Sequence, residues 1–290
     1  MTGGIQVLIW GISFGGLLLC RCLFAFRNRS RRTQGANQNW GWKLQETKGK
    51  WSAVGICQTI GGRENQADRA QVWSGKAGAM AVLADGMGRA NTGEVCAQIA
   101  VDTILDQFEP YEELNNPSYF FKTAFSEAHR RIQKTIGERR GGACMGAVFL
   151  DGVNLHYAVA GNVKIALLRG EELIPLSKGQ TLDVLAAQAY EDGKISKQDA
   201  LWSMDEKRVW NYLGQDGFHE IEICVHPIGL KTGDKVLMVS KGIFEILSWR
   251  EMEDILVSDM PVQELADRLI LEAERKDTLE KDNGSVILIV

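Results

Sequence analysis

The chain has 290 residues, 45% of them hydrophobic and 24% charged, with five prolines and a formal net charge of −4. That length and balance fit one globular domain plus an appendage. Residues 1–50 hold eight Lys/Arg and one Glu, a balance of +7, which leaves −11 for residues 51–290 and argues against nucleic acid as a partner.

Ile5 to Phe26 is apolar except for Gln6, Ser13 and Arg21. As a helix it would reach about 33 Å, close to the thickness of a bilayer's hydrocarbon core. Met1-Thr2-Gly3-Gly4 has no side-chain positive charge, no small-x-small site follows the apolar run, and Leu19 before Cys20 is too large for a lipoprotein site. A retained anchor therefore fits better than a cleaved signal peptide. Arg27, Arg29, Arg31 and Arg32 follow, and the positive-inside bias places what comes after them in the cytoplasm. The expected organisation is a transmembrane anchor at 1–26, a basic cytoplasmic linker at 27–50 and a folded domain at 51–290, single-pass at the cell membrane. Cys20 and Cys22 sit at the membrane edge, where palmitoylation is chemically open. Cys57, Cys96, Cys144 and Cys224 lack metal-ligand spacing and read as buried thiols in a reducing compartment.

Within the domain, Ala77 to Ala84, Ala143 to Leu150, Lys235 to Val239 and Ser285 to Val290 are short runs apolar on both alternating faces, as strands covered on both sides require. Trp51 to Ile60 and Leu155 to Leu168 add further strands. Asn91-x-x-Glu94 has the form of a capping box, followed by Val95, Ile99, Ile104, Leu105 and Phe108 at helical spacing. Asn116-Pro117 opens a second helix, with Phe121, Phe125, Ala128, Ile132 and Ile136 on one stripe. A third begins at Pro261, with Leu265, Leu269 and Ala273 inward. Helix pairs set between runs of strands favour an α+β layered sandwich over a doubly wound sheet. The absence of a Gly-x-Gly-x-x-Gly or Walker sequence leaves a nucleotide fold without local support.

Four places put chemically capable residues at strand ends: Gly62-Arg63-Glu64-Asn65-Gln66-Ala67-Asp68, Asp85-Gly86-Met87-Gly88, Ala160-Gly161-Asn162 and Asp282-Asn283-Gly284-Ser285. Asp-Gly alone is an ordinary turn. Several carboxylates brought to one sheet edge would instead make a site for hard divalent cations.

With Gly93-Glu94 after Asp85-Gly86-Met87-Gly88, and Asp282-Asn283 near the end, the ordered set resembles the bacterial form of the PPM (type 2C) metal-dependent protein serine/threonine phosphatases. Gly193-Lys194-Ile195 and Val209…Leu213-Gly214 resemble that family's flap region and the stretch behind it. The resemblance spans residues 51–290. It implies an αββα sandwich of two central antiparallel sheets flanked by helices, with Mg²⁺ or Mn²⁺ at its edge. It further implies Arg63 as the phosphate-binding catalytic arginine, and Asp68, Asp85, the Gly86 carbonyl and Asp282 as metal ligands.

The departures from that pattern are Lys241 in Ser240-Lys241-Gly242 and Asn162 in Gly161-Asn162-Val163, both where the family has metal-binding Asp. Ala67 stands where Glu is usual, Arg89 replaces a glycine, and Gly142-Ala143-Cys144 replaces a Gly-Thr-Thr-like turn. Three aspartates against one ammonium leave −2, enough for one divalent ion at most, whereas an active site would hold two. The resulting expectation is a membrane-anchored pseudophosphatase, weak or inactive, that binds a phosphoprotein or signalling partner. The alternative is an active phosphoserine/phosphothreonine phosphatase. For the topology, a protease added outside intact cells is expected to leave residues 51–290 undigested, and digestion of the domain would reverse the orientation.

Overall fold

In the computed structural model, which describes residues 53–278 and 280–290, two antiparallel sheets pack face to face with helices on both outer faces. The chain runs β1 (Val54–Thr59), β2 (Arg69–Gly75) and β3 (Gly78–Gly88) into α1 (Thr92–Phe108) and α2 (Pro117–Ile136). It continues through β4 (Gly141–Leu150), β5 (Asn154–Ala160), β6 (Lys164–Arg169) and β7 (Glu172–Pro175) to α3 (Leu182–Glu191) and α4 (Lys197–Trp202). The short β8 (Glu222–Ile223) and β9 (Ile228–Gly229) precede β10 (Lys235–Val239), α5 (Lys241–Phe244), α6 (Trp249–Leu256), α7 (Val262–Arg275) and β11 (Gly284–Ile289). One sheet has the order β1-β11-β10-β6-β7 and the other β2-β3-β4-β5-β8, with β9 beside β5.

Alternation along the strands explains the layers. In β3, Met80, Val82 and Ala84 face α1 and α2, where Ile104, Phe108, Phe121, Phe125 and Ile132 complete an outer core. Ala79, Ala81 and Leu83 point the other way, onto Ile165, Val236, Met238, Ile287 and Ile289 of the opposite sheet. The outer face of that second sheet, with Leu237, Val239, Val286 and Leu288, is covered by Leu265, Leu269 and Ala273 of α7 and by α5 and α6. A strand buried on both faces leaves no room for the polar half of a hairpin pattern, which is why these runs read as continuously apolar. The αββα expectation for the domain is met.

Local signals were obeyed unevenly. Asn116 caps α2, its side chain accepting from the Tyr119 N–H at 3.0 Å. The box expected at Asn91 does not form: Asn91 makes no side-chain cap, and Glu94 instead accepts from Arg69 Nη2 at 2.6 Å. A capping box does form at Ser248 and Glu251, at the start of α6. Cys57, Cys96, Cys144 and Cys224 are free buried thiols, as expected.

Among the described residues no helix is long and apolar enough to cross a membrane. The anchor expected at 1–26 and the linker at 27–50, with Cys20 and Cys22, lie outside the described residues. Phe125, fully buried and edge-on to Phe121 at 6.3 Å, tests the outer core. Phe125→Ala is expected to cost about 3–5 kcal/mol in urea unfolding, with the midpoint falling and the m-value unchanged. A loss below about 1 kcal/mol would contradict the packing.

Candidate active site

The loop between β1 and β2 is drawn onto the residues ahead of β11 by a single amide. Asn283 Oδ1 accepts from the Ala67 N–H at 2.8 Å, and its Nδ2 donates to the carbonyls of Ile60 and Asn65 at 2.9 and 3.1 Å. Gly62 N–H donates to the Lys281 carbonyl, and Gly61 takes φ +59 with its α-carbon face pressed against the Asp282 carbonyl, a place closed to any side chain. These contacts bring Arg63 and Asp282 together, with Arg63 Nε donating to Asp282 Oδ1 at 2.9 Å.

Asp68 ends the same loop and is fully buried. Its Oδ2 accepts two hydroxyl hydrogen bonds at 2.7 Å, from Ser240 after β10 and from Ser285 in β11. Its Oδ1 is buried with no hydrogen-bond partner. Burial pushes the Asp68 carboxyl up to about 6 against the opposing pull of the two serines, and the charge of Asp282 adds to the rise. Arg69 pins the loop by donating to the Gln66 and Asp68 carbonyls at 2.8 Å.

Asp85 lies near the end of β3, opposite Cys144 of β4. It is half-buried by surface area yet enclosed by neighbouring atoms, and it lies close enough to Asp68 and Asp282 to feel both. Burial raises its carboxyl well above the usual range, the charges of Asp68 and Asp282 raise it further, and Lys241 opposes them. Gly86 follows in the strand, wedged between the carbonyls of Gly93 and Ala67 where no Cβ fits. Three segments, the β1–β2 loop with Arg63 and Asp68, the end of β3 with Asp85 and Gly86, and Asp282 ahead of β11, thus come to one shared edge of the two sheets.

The altered positions fall in two places. Lys241, the first residue of α5, extends its ammonium to 3.8 Å from Asp282 Oδ2 and 3.8 Å from Glu245 Oε2. Ala67 contributes its backbone N–H to Asn283 and no side-chain donor or acceptor. Asn162 lies in the turn between β5 and β6, buried, with its Oδ1 unpartnered and packed near Gly179 and Lys164 Nζ. Its backbone N–H faces the Cys144 thiol, which burial and then Asp85 push up to about 12. Sequence reasoning gave no role to Ser240, Ser285, Asn283 or Cys144, although all four stand inside the motifs it singled out.

Hard oxygens at Asp68 and Asp85, one of them without any partner, suit a Mg²⁺ or Mn²⁺ ion. Asp282 is engaged by Arg63 and faced by Lys241.

Residues 59–182 match the protein phosphatase 2C family. Over 243 residues the chain is 26% identical to protein phosphatase PhpP of Streptococcus pneumoniae, covering 78% of this chain and 92% of that protein. Its fold is similar to a serine/threonine phosphatase of S. agalactiae, with TM-score 0.71 and 21% identity over 82% of this chain and 98% of the other. It is also similar to the catalytic domain of the phosphatase PstP, solved in complex with 2 manganese ions, with TM-score 0.63 and 23% identity over 82% and 96%.

Asp68 generates a pH test. A carboxyl raised in the folded state stabilises the fold fully below its ordinary value of 3.8, and that stability is lost as pH rises through about 6. Asp68→Asn removes the buried charge while keeping an acceptor for the serines. In chelator-treated protein it is expected to gain about 1–3 kcal/mol at pH 8 and nothing near pH 4. Equal stability of the two proteins across that range would show that Asp68 carries no buried charge.

Proposed function

We propose, for a chain of the PPM/PP2C phosphatase family, that residues 51–290 release phosphate from phosphoserine and phosphothreonine in phosphoproteins. The observation that carries this reading is the meeting of Arg63, Asp68, Asp85 and Asp282 at one sheet edge, delivered by three separate segments of the chain. The family match and the curated phosphatase relative support the substrate class.

In this reading Arg63, a half-exposed side chain that meets Asp282 through Nε, orients the phosphate through paired hydrogen bonds. Asp68 and Asp85, with the Gly86 carbonyl, would hold a Mg²⁺ or Mn²⁺ ion, which when bound lowers the pKa of a coordinated water and supplies the nucleophile. Ser240 and Ser285 fix the Asp68 carboxylate so that its free oxygen keeps one direction. We further propose that the domain works at the cytoplasmic face of the cell membrane, tethered through residues 5–26, with cytoplasmic phosphoproteins as its partners.

A second reading is favoured by one observation, the Lys241 ammonium beside Asp282. A positive charge near that carboxylate repels a second divalent ion and makes the domain a weak or inactive phosphatase that retains phosphoprotein binding. Calorimetric titration with Mn²⁺, run beside hydrolysis of a phosphothreonine peptide, separates the two. Two tight sites and robust turnover in the parent would remove the second reading, and no turnover with phosphopeptide still bound would remove the first. Lys241→Asp is expected to bind one more Mn²⁺ than the parent and to raise the rate at least about tenfold. No change in either would mean that Lys241 does not limit the site.

A further inference from the structure

Lys241 does more than subtract a metal ligand. Its ammonium stands 3.8 Å from Asp282 Oδ2 and 3.8 Å from Glu245 Oε2, beyond the 2.7–3.2 Å of a made hydrogen bond. Both contacts are electrostatic, and the three N–H donors are not consumed by them. Arg63 reaches Asp282 from another segment through Nε alone, at 2.9 Å. Two cations therefore flank one half-buried carboxylate, with side-chain exposures of 52% for Arg63 and 45% for Lys241, so both can turn toward a ligand from solvent. One guanidinium and one ammonium presented side by side match a phosphate monoester, which offers three oxygens and close to two negative charges at neutral pH.

We propose that Arg63 and Lys241 form a phosphate receptor that works without a divalent ion, the lysine ammonium taking over the charge-neutralising role that a metal would serve in binding. This rests on the reading that the cleft accepts phosphoryl groups, and concerns binding alone. The ligand is a phosphate monoester on a peptide, and Asp282 holds both cations in place while the cleft is empty. Glu245, one turn further along, keeps the lysine over the cleft.

The test is equilibrium binding of a phosphothreonine peptide, its unphosphorylated form and inorganic phosphate to the full-length chain, in EDTA and again in Mn²⁺. The phosphopeptide is expected to bind in EDTA with an affinity within about threefold of that in Mn²⁺, and the unphosphorylated peptide not to bind. Lys241→Met is expected to weaken binding in EDTA about tenfold or more, the loss of one charge-assisted hydrogen bond, and Lys241→Arg to restore most of it. Lys241→Asp should bind the phosphopeptide only when Mn²⁺ is present. Lys241 is exposed, so none of these changes touches the core. Binding by the parent only in Mn²⁺ would overturn the proposal while leaving the phosphatase reading intact. Undiminished binding by Lys241→Met in EDTA would overturn it too, and absence of phosphopeptide binding under every condition would remove both. Inorganic phosphate binding as tightly as the phosphopeptide would confirm the receptor and show that the flanking peptide adds nothing.

Discussion

The edge where the two sheets meet is organised by one carboxylate oxygen. Asp68 Oδ2 accepts from Ser240 and Ser285, and those two serines are themselves joined by the hydrogen bonds Ser240 N–H to the Ser285 carbonyl and Ser285 N–H to Ser240 Oγ. Asp68 leads into β2 of one sheet, while Ser240 directly follows β10 and Ser285 lies in β11 of the other, so this cluster ties the two layers together at the site. Burying a carboxylate is costly, and two charge-assisted bonds offset part of that cost at one oxygen while the other oxygen has none. The fold thus contains a fixed, partly unsatisfied acid at the centre of its site, which a proton or a cation would relieve.

The same unsatisfied charge explains the company it keeps. Asp85 and Asp282 add to the electrostatic load, and the chain answers with cations of its own, Arg63 and Lys241, both directed at Asp282. A site with three carboxylates and two half-exposed cations of its own differs from one whose carboxylates face only ions from solution. Arg63 and Lys241 already occupy both oxygens' sides of Asp282, and in the proposed receptor the same two cations would bind phosphate with no metal present. Under that proposal catalysis and recognition need not rise and fall together.

Much of the sandwich was legible from apolar runs alone, because strands covered on both faces must be apolar on both faces. The stripe Phe121, Phe125, Ala128, Ile132 and Ile136 is buried as its spacing required. β2 was missed because Arg69–Gly75 is half-exposed and carries Arg69, Gln71 and Ser74 among its apolar residues. The capping box expected at Asn91 does not form: Asn91 takes φ −94 and ψ 10 rather than the extended backbone of a cap, its side chain caps nothing, and Glu94 pairs with Arg69, 25 positions earlier. Ser248-x-x-Glu251 does form a box, with one Glu251 oxygen turned back to Ser248 while the other takes the Lys276 ammonium.

The ordered motifs and the identity of the acidic residues were properties of the sequence, as was the presence of Lys241 and Ala67 within those motifs. What only the tertiary structure decided is which charge faces which. Asp68 meets Ser240 and Ser285 across 172 and 217 residues of chain, and Arg63 meets Asp282 across 219. Asn162 lies in the turn that packs against Gly179 and Lys164, with its backbone N–H on the Cys144 thiol opposite Asp85. The physical reason is that hydrophobic periodicity is written locally, residue by residue, whereas a polar site at a sheet edge depends on strand order and register. Those arise only when distant strands pair and both layers close.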